Sequence, residues 1–375
     1  VAPVEGVRID FRYGLPGVQN FPFFVWRKLV SRRLRKPGAR ALVYSAAEGL
    51  PELRRALAAY LRRVRAVQCT PDDILVVNGS QQALDLIARV LLQPGDRVLI
   101  EEPHYLGARQ IFLAAGARLV PGPVDHDGLD IERAPRAAAR ARVAYVTPSH
   151  QFPTGAVMPL ARRLALLRWA QASGAWIVED DYDSEYRYGG RPVEAVQALD
   201  RAGQVLYVGT LSKTLYPALR IGYMVLPANL VPAFRAAKYL ADLHTPTLQQ
   251  EVLADFIEEG HFERHLRRTR TRNAQRREAL LAALREHCGD AVEVQGSSAG
   301  LHLLLWLKRV PPSKLDAVVR RTAEAGVGVY PVRPNYLQPP RRSGLLVGYA
   351  SLDEDEIRQG IARLGGVLRA ALSRP

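Results

Sequence analysis

The chain has 375 residues, 48% hydrophobic and 24% charged, and its 52 Lys and Arg outnumber 37 Asp and Glu for a formal charge of +15. No apolar run reaches the roughly 20 residues of a membrane span, the amino terminus lacks the basic-then-apolar layout of a secretory signal, and Cys69 and Cys288 form neither a disulfide framework nor a zinc motif. These features argue against a membrane protein and for a reducing cytoplasm, and the length calls for two packed cores.

Residues 1–40 read as an arm or linker: IDFRYGLPG is turn-rich, and 22–35 has the pattern of one amphipathic helix. Helices are then expected over 52–66, 80–92, 108–117 and 160–174. They alternate with short apolar strands at ILVVNG, RVLIEEP, ARLVPGPV, ARVAYVTP, AWIVEDD, VLYVGT and RIGYMVLP. Val, Ile and Leu strands interleaved with helices predict a mostly parallel sheet covered on both faces, a large domain over 41–258. A long helical stretch follows over 232–288, and strands and helices resume in a smaller α/β domain over 259–375. Its last helix is expected to open on a capping box in Ser351-Leu352-Asp353-Glu354.

Three segments carry chemistry. Gly79, Ser80 and Gln81 lie where a buried strand hands over to a helix, so the first free amides face a phosphate-sized site, or simply cap a turn. Glu179-Asp180-Asp181-Tyr182 ends the strand AWIV at the carboxyl edge, where open α/β sheets bind ligands. Such acids also suit a metal, but no His accompanies them in sequence, and adjacent Asp residues on a strand point to opposite faces. Thr210, Ser212, Lys213 and Arg220 follow VLYVGT and suit a phosphate together with an amine nucleophile. The chain has six lysines in all, which weighs against an incidental one here. The positive excess is mostly Arg, as in 261–286, a pattern of a solvated helix face or of phosphate-backbone contact.

Taken jointly, these segments resemble fold-type I pyridoxal-phosphate enzymes, the aminotransferase superfamily. The resemblance implies that Lys213 within TLSK is the Schiff-base lysine for pyridoxal 5'-phosphate. It further implies that Asp180 pairs with the pyridine nitrogen, Tyr182 touches the ring hydroxyl and Tyr105 stacks on the ring. Gly79, Ser80, Gln81, Thr210, Ser212 and Arg220 match the phosphate ligands. Tyr44 resembles the tyrosine that reaches the neighbouring subunit's phosphate, implying a homodimer with shared sites.

The longer strings TPSHQFPTG, IVEDDYDSEYRY, VGTLSKTLYPALRIGY and ADFIEEGHFERHLRRTR are similar to the effector domains of MocR-type, GabR-like bacterial transcription regulators of the GntR family. In that family a winged helix-turn-helix domain precedes this module, and residues 1–40 are too short to hold one. The expectation is therefore a sensor half that responds to an amine or amino acid and reaches DNA only through an amino-terminal domain it lacks. Two positions depart from working aminotransferases: Phe152 stands where Asn usually precedes Pro-Thr-Gly, and Leu346 stands where many carry the Arg that grips a substrate carboxylate. Arg333 in VYPVRPNY is either a substitute clamp or a surface arginine. Residual transaminase activity is compatible with the sensor; a stand-alone aminotransferase acting on an amino acid or amine is the alternative, and a protein binding nucleic acid through its own arginines is the third.

Overall fold

The computed structural model describes residues 2–35, 43–189 and 194–372. A short strand β1 (Ile9–Asp10) and helix α1 (Phe23–Arg35) come first. The main body runs through α2 (Pro51–Arg65), β2 (Ile74–Val77), α3 (Ser80–Leu91), β3 (Arg97–Glu102), α4 (Leu106–Ala114), β4 (Arg118–Asp125) and β5 (Gly128–Leu129). It continues with β6 (Ala141–Val146), α5 (Leu160–Ser173), β7 (Trp176–Asp181), α6 (Val196–Leu199), β8 (Val205–Thr210) and β9 (Gly222–Val225). These strands form one eight-stranded sheet in the order β2-β9-β8-β7-β6-β3-β4-β5. Pairs β8·β7, β7·β6, β6·β3 and β3·β4 are parallel, and β9 and β5 run antiparallel to their neighbours. Every residue of β2, β8 and β9 is buried, the continuous apolar reading that a sheet covered on both faces demands.

Helices α7 (Val231–Asp242), α8 (Thr247–Glu258) and α9 (His261–His287) replace the single helical stretch expected over 232–288. Leu243 at φ 63° and Gly260 at φ 71° end the runs, since left-handed residues cannot continue a helix. Then come β10 (Val292–Gln295), β11 (His302–Leu307), α10 (Leu315–Glu324), β12 (Val327–Gly328), β13 (Tyr330–Pro331), β14 (Ser343–Gly348) and α11 (Glu354–Leu372). Strands β10-β11-β14-β13 make an antiparallel sheet, so the carboxyl-terminal unit is α/β with its own core. The capping box of α11 sits two residues later than expected. Asp353 Oδ1 accepts from the Glu356 amide and Glu356 Oε2 accepts from the Asp353 amide, at 2.8 and 2.9 Å, because the helix begins at Glu354 rather than before it.

The amino-terminal segment is built into the fold. Strand β1 pairs in parallel with β12, and Ile9 and Phe11 are buried in the carboxyl-terminal core. Farther along, Phe21 and Leu29 join the large-sheet core, and Arg32 and Arg33 bond to Asp255 on α8. The expected 40/41 boundary lies outside the described residues. Around 258/259, the first turns of α9 (Phe262, Leu266) still pack on the large-sheet core, whereas Ala279 to Leu284 belong to the other. Among the described residues no helix is long and apolar enough to cross a membrane.

Candidate functional site

The carboxyl ends of the parallel strands converge on a cavity of about 270 Å³, where an open α/β sheet places its ligands. Asp180 from β7, Thr210 from β8 and Thr147 just beyond β6 line it, with Ser80 and Gln81 at the start of α3. Of the other sequence-predicted residues, Tyr105, Tyr182, Ser212, Lys213 and Arg220 line it as well. Gly79 adjoins it at φ 85°, where a Cβ would lie 2.8 Å from an Arg220 guanidinium nitrogen. The glycine therefore admits both the strand-to-helix turn and the arginine. Within α3 the amides of Gln82 and Ala83 return to Gly79 O, which leaves those of Ser80 and Gln81 at the open end of the helix.

Alternation along β7 separates the acids. Asp180 Oδ2 accepts from the Tyr145 hydroxyl at 2.7 Å, and Oδ1 is buried with no partner among the described residues. Burial pushes the Asp180 carboxyl up to about 7, against the opposing hydrogen bond from Tyr145. Asp181 faces away, bonded to Arg65 at 2.8 Å and to Tyr207 at 2.5 Å, and Glu179 accepts the amides of Val196 and Gln197. Lys213 Nζ donates to Gly14 O at 2.6 Å. Burial lowers the Lys213 ammonium from its ordinary range, and Asp183 and Asp180 act against that. The set thus offers an amine that gives up its proton readily, an acceptor awaiting an N–H, and amides, hydroxyls and a guanidinium for a phosphate-sized anion.

Tyr105 meets Phe152 edge to face at 5.8 Å, and the two share an apolar cluster with Leu346, Leu304, Trp306 and Tyr330. Leu346 is wholly buried there. Arg333 is exposed and lines a separate cleft with Pro312 and Pro339, so it does not stand in for a clamp in this cavity. Tyr44 is 83% exposed and packs against the His244 ring, outside the cavity.

Sequence reasoning missed several residues. Arg12, Tyr13, Gly14 and Leu15 line the cavity, from a segment expected only as a turn-rich arm. Tyr145 was visible as part of a strand, but only the fold sets it opposite Asp180. The expectation that no His joins the acids is corrected in space: His150 and His302 each bring a ligand atom within 4.8 Å of one from Asp183. Within this group His150 Nδ1 bonds to Asp183 and Tyr182, and His302 Nε2 bonds to Pro153 O.

The family model for aminotransferase class I and II matches residues 17–364. The chain is 42% identical to the probable rhizopine catabolism regulatory protein MocR of Rhizobium meliloti, over 95% of this chain and 72% of that protein. It is 31% identical to aromatic-amino-acid aminotransferase 1 of Thermococcus litoralis, over 98% of this chain and 89% of that enzyme. Among solved structures, the α-aminoadipate aminotransferase of Thermus thermophilus, complexed with N-(5'-phosphopyridoxyl)-L-leucine, superposes with a TM-score of 0.89 at 33% identity, covering 98% of this chain and 94% of that one.

Proposed function

This chain belongs to the class I and II aminotransferase family, and from that premise we propose that it is the pyridoxal-phosphate-binding, effector-sensing domain of a MocR-type bacterial transcription regulator. The fold is that of fold-type I aminotransferases, and the family implies the cofactor. The donors present fit it. Asp180 Oδ1, buried and without a partner among the described residues, is the acceptor for a pyridine N–H, and the Ser80 and Gln81 amides with Thr210, Ser212 and Arg220 are the ligands for the phosphate. When bound, the cofactor supplies a carbonyl that condenses with amines and a ring that withdraws electrons.

The protein's part is positioning and electrostatics. Lys213 supplies the amine that anchors the cofactor and takes up or releases a proton at Nζ. Asp180 keeps a proton on the ring nitrogen, and Tyr145 holds that carboxylate in place from behind. Tyr105 and Phe152 exclude water from the faces of the site. Two subunits are proposed to share sites, with exposed Tyr44 reaching the partner's phosphate and exposed Tyr239 and Leu240 adding apolar contact. We place the protein in the cytoplasm, with Cys69 and Cys288 as thiols, and DNA binding in a winged-helix domain rather than in this domain's arginines.

The observation that carries sensing over turnover is Leu346, wholly buried in an apolar cluster where an enzyme for α-amino acids would place its carboxylate clamp. An absorbance titration with a panel of amines and amino acids, followed by product analysis, tests it. A spectral response without accumulating keto acid is expected, and steady turnover near the enzyme median of about 10 per second would contradict it. A second reading, a stand-alone aminotransferase, is favoured by the 31% identity to the Thermococcus enzyme over 98% of this chain, together with Lys213, Asp180 and the phosphate-sized set in one cavity.

A further inference from the structure

Behind Tyr182 lies a buried polar group that the cofactor reading does not use. His150 Nδ1 is 3.0 Å from Asp183 Oδ2 and 2.9 Å from the Tyr182 hydroxyl, and the imidazole is 1% exposed. Two glycines shape its slot. At Gly300 (φ +80°) a Cβ would collide with the ring, and at Gly155 (φ +73°) a Cβ would lie 3.0 Å from Nε2. His302, from β11, faces His150 at 5.2 Å between ring centroids and donates through Nε2 to Pro153 O. Burial pushes the His302 imidazolium down to about 3, so that ring carries no charge beside His150.

The hydrogen bonds fix the His150 tautomer. Nε2 is buried with no partner among the described residues, so a proton there would be a donor with nothing to meet. A proton on Nδ1 instead meets the Asp183 carboxylate and the Tyr182 oxygen, both acceptors within reach. The Tyr182 oxygen then accepts from His150, and its own hydroxyl hydrogen is left to point elsewhere. The cavity that Tyr182 lines is the direction where an acceptor would be found.

We propose that His150, held by Asp183 and seated between Gly155 and Gly300, is a positioning residue that fixes Tyr182 as a hydrogen-bond donor into the cofactor cavity. It offsets the polar contact that Phe152 removes from the other side. The inference rests on the reading that this cavity takes pyridoxal phosphate. The other ionisable groups whose charges act on Tyr182 are Asp183, Asp180, Glu101 and Asp181, and those acting on Lys213 are Asp183 and Asp180, with His302 also near Lys213. All of them are retained in the variants below.

Two measurements test it. In cofactor-free protein labelled with nitrogen-15 at histidine, and assigned against His150→Asn, the His150 ring should show a protonated Nδ1 and a bare Nε2. A proton on Nε2 overturns the proposal. In cofactor-loaded protein, the pH midpoint of the visible band is compared among wild type, His150→Asn, His150→Gln, Tyr182→Phe and the double variant His150→Gln/Tyr182→Phe. Asn presents an N–H near the Nδ1 position and Gln near Nε2, so Asn should keep the wild-type midpoint. Gln should move it by roughly one unit in the direction of Tyr182→Phe. The double variant should match Tyr182→Phe alone. A Gln variant with the wild-type midpoint, or shifts that add, overturns the proposal. A wild-type chain that takes up no pyridoxal phosphate would instead defeat the cofactor reading, and the tautomer measurement would still decide the state of His150.

Discussion

Lys213 Nζ donates a hydrogen bond to the carbonyl of Gly14 at 2.6 Å, across 199 residues of sequence. The amino-terminal segment thus forms part of the wall against which the amine is presented. Gly14 has φ +79°, and a Cβ on it would lie 3.1 Å from Nζ. Gly14→Ala adds a methyl at that distance and strains the backbone, so a stability loss of about 1 kcal/mol or more is expected, together with reduced cofactor occupancy. Thermal melting and the visible absorbance read the two effects separately. Full occupancy in the variant would show that the segment does not shape the amine's site.

The proposed phosphate ligands give a second expectation. Arg220 Nη2 is held by Asn78 O at 2.7 Å, which aims the guanidinium across the start of α3. A hydrogen bond to a charged group contributes about 1.5–3 kcal/mol, so Arg220→Ala should weaken pyridoxal-phosphate binding by roughly 10- to 100-fold. Pyridoxal without its phosphate should bind the variant and wild type alike, measured by equilibrium dialysis. Equal losses for both compounds would place the arginine's role elsewhere.

Asp180 should act on stability and on binding with opposite signs. Its folded carboxyl is raised to about 7 by burial, above the value of an unfolded chain, so the protonated form favours the fold. That contribution is complete at low pH and is lost as pH rises through about 7. Glu101 and Glu185, also raised to about 7 by burial, add in the same direction. Cofactor-free protein should therefore melt lower at about pH 8 than at about pH 5, and Asp180→Asn should shrink that difference. The same substitution replaces the charged partner of a ring N–H by a neutral amide and should weaken cofactor binding by about 10-fold or more. A variant whose melting falls with pH as steeply as wild type would contradict the assignment.

The local parts of this site were legible in the sequence because each arises within one strand and its following turn. Thr210, Ser212 and Lys213 follow β8, Asp180 and Tyr182 end β7, and Gly79 to Gln81 open α3. The alternation of side chains along a strand also separates Asp180 from Asp181. What pattern cannot show is which distant segments the topology brings alongside. Gly14 meets Lys213 because β1 pairs with β12 in the carboxyl-terminal unit. His302 comes from β11 and His150 from the loop after β6, and neither has a local signature beside the acids. The break at Gly260 was missed for a related reason: a glycine lowers helix propensity only modestly, and the turn there depends on its left-handed backbone.

Arg12 lines the cavity with no hydrogen-bond or ion-pair partner among the described residues, while Leu346 leaves the usual clamp position apolar. An effector bearing an anionic group would find its cation in Arg12. Arg12→Ala should weaken the spectral response to a carboxylated amine by roughly tenfold and leave the response to the corresponding plain amine unchanged. A uniform loss for both would remove Arg12 from effector selection.

Tyr44 tests the shared-site assembly. It lies outside its own chain's cavity and is 83% exposed. Tyr44→Ala should lower cofactor retention on dilution, where subunits separate, and sedimentation should show a dimer for the loaded wild type. Monomeric loaded protein with full occupancy would rule the shared site out.

The proposed attachment of pyridoxal phosphate to Lys213 has a direct test. Protein incubated with pyridoxal phosphate, reduced with borohydride, digested and analysed by mass spectrometry should carry one phosphopyridoxyl group on the peptide containing Lys213, and Lys213→Ala should carry none. A label on one of the other five lysines, or no label on the wild type, would contradict it.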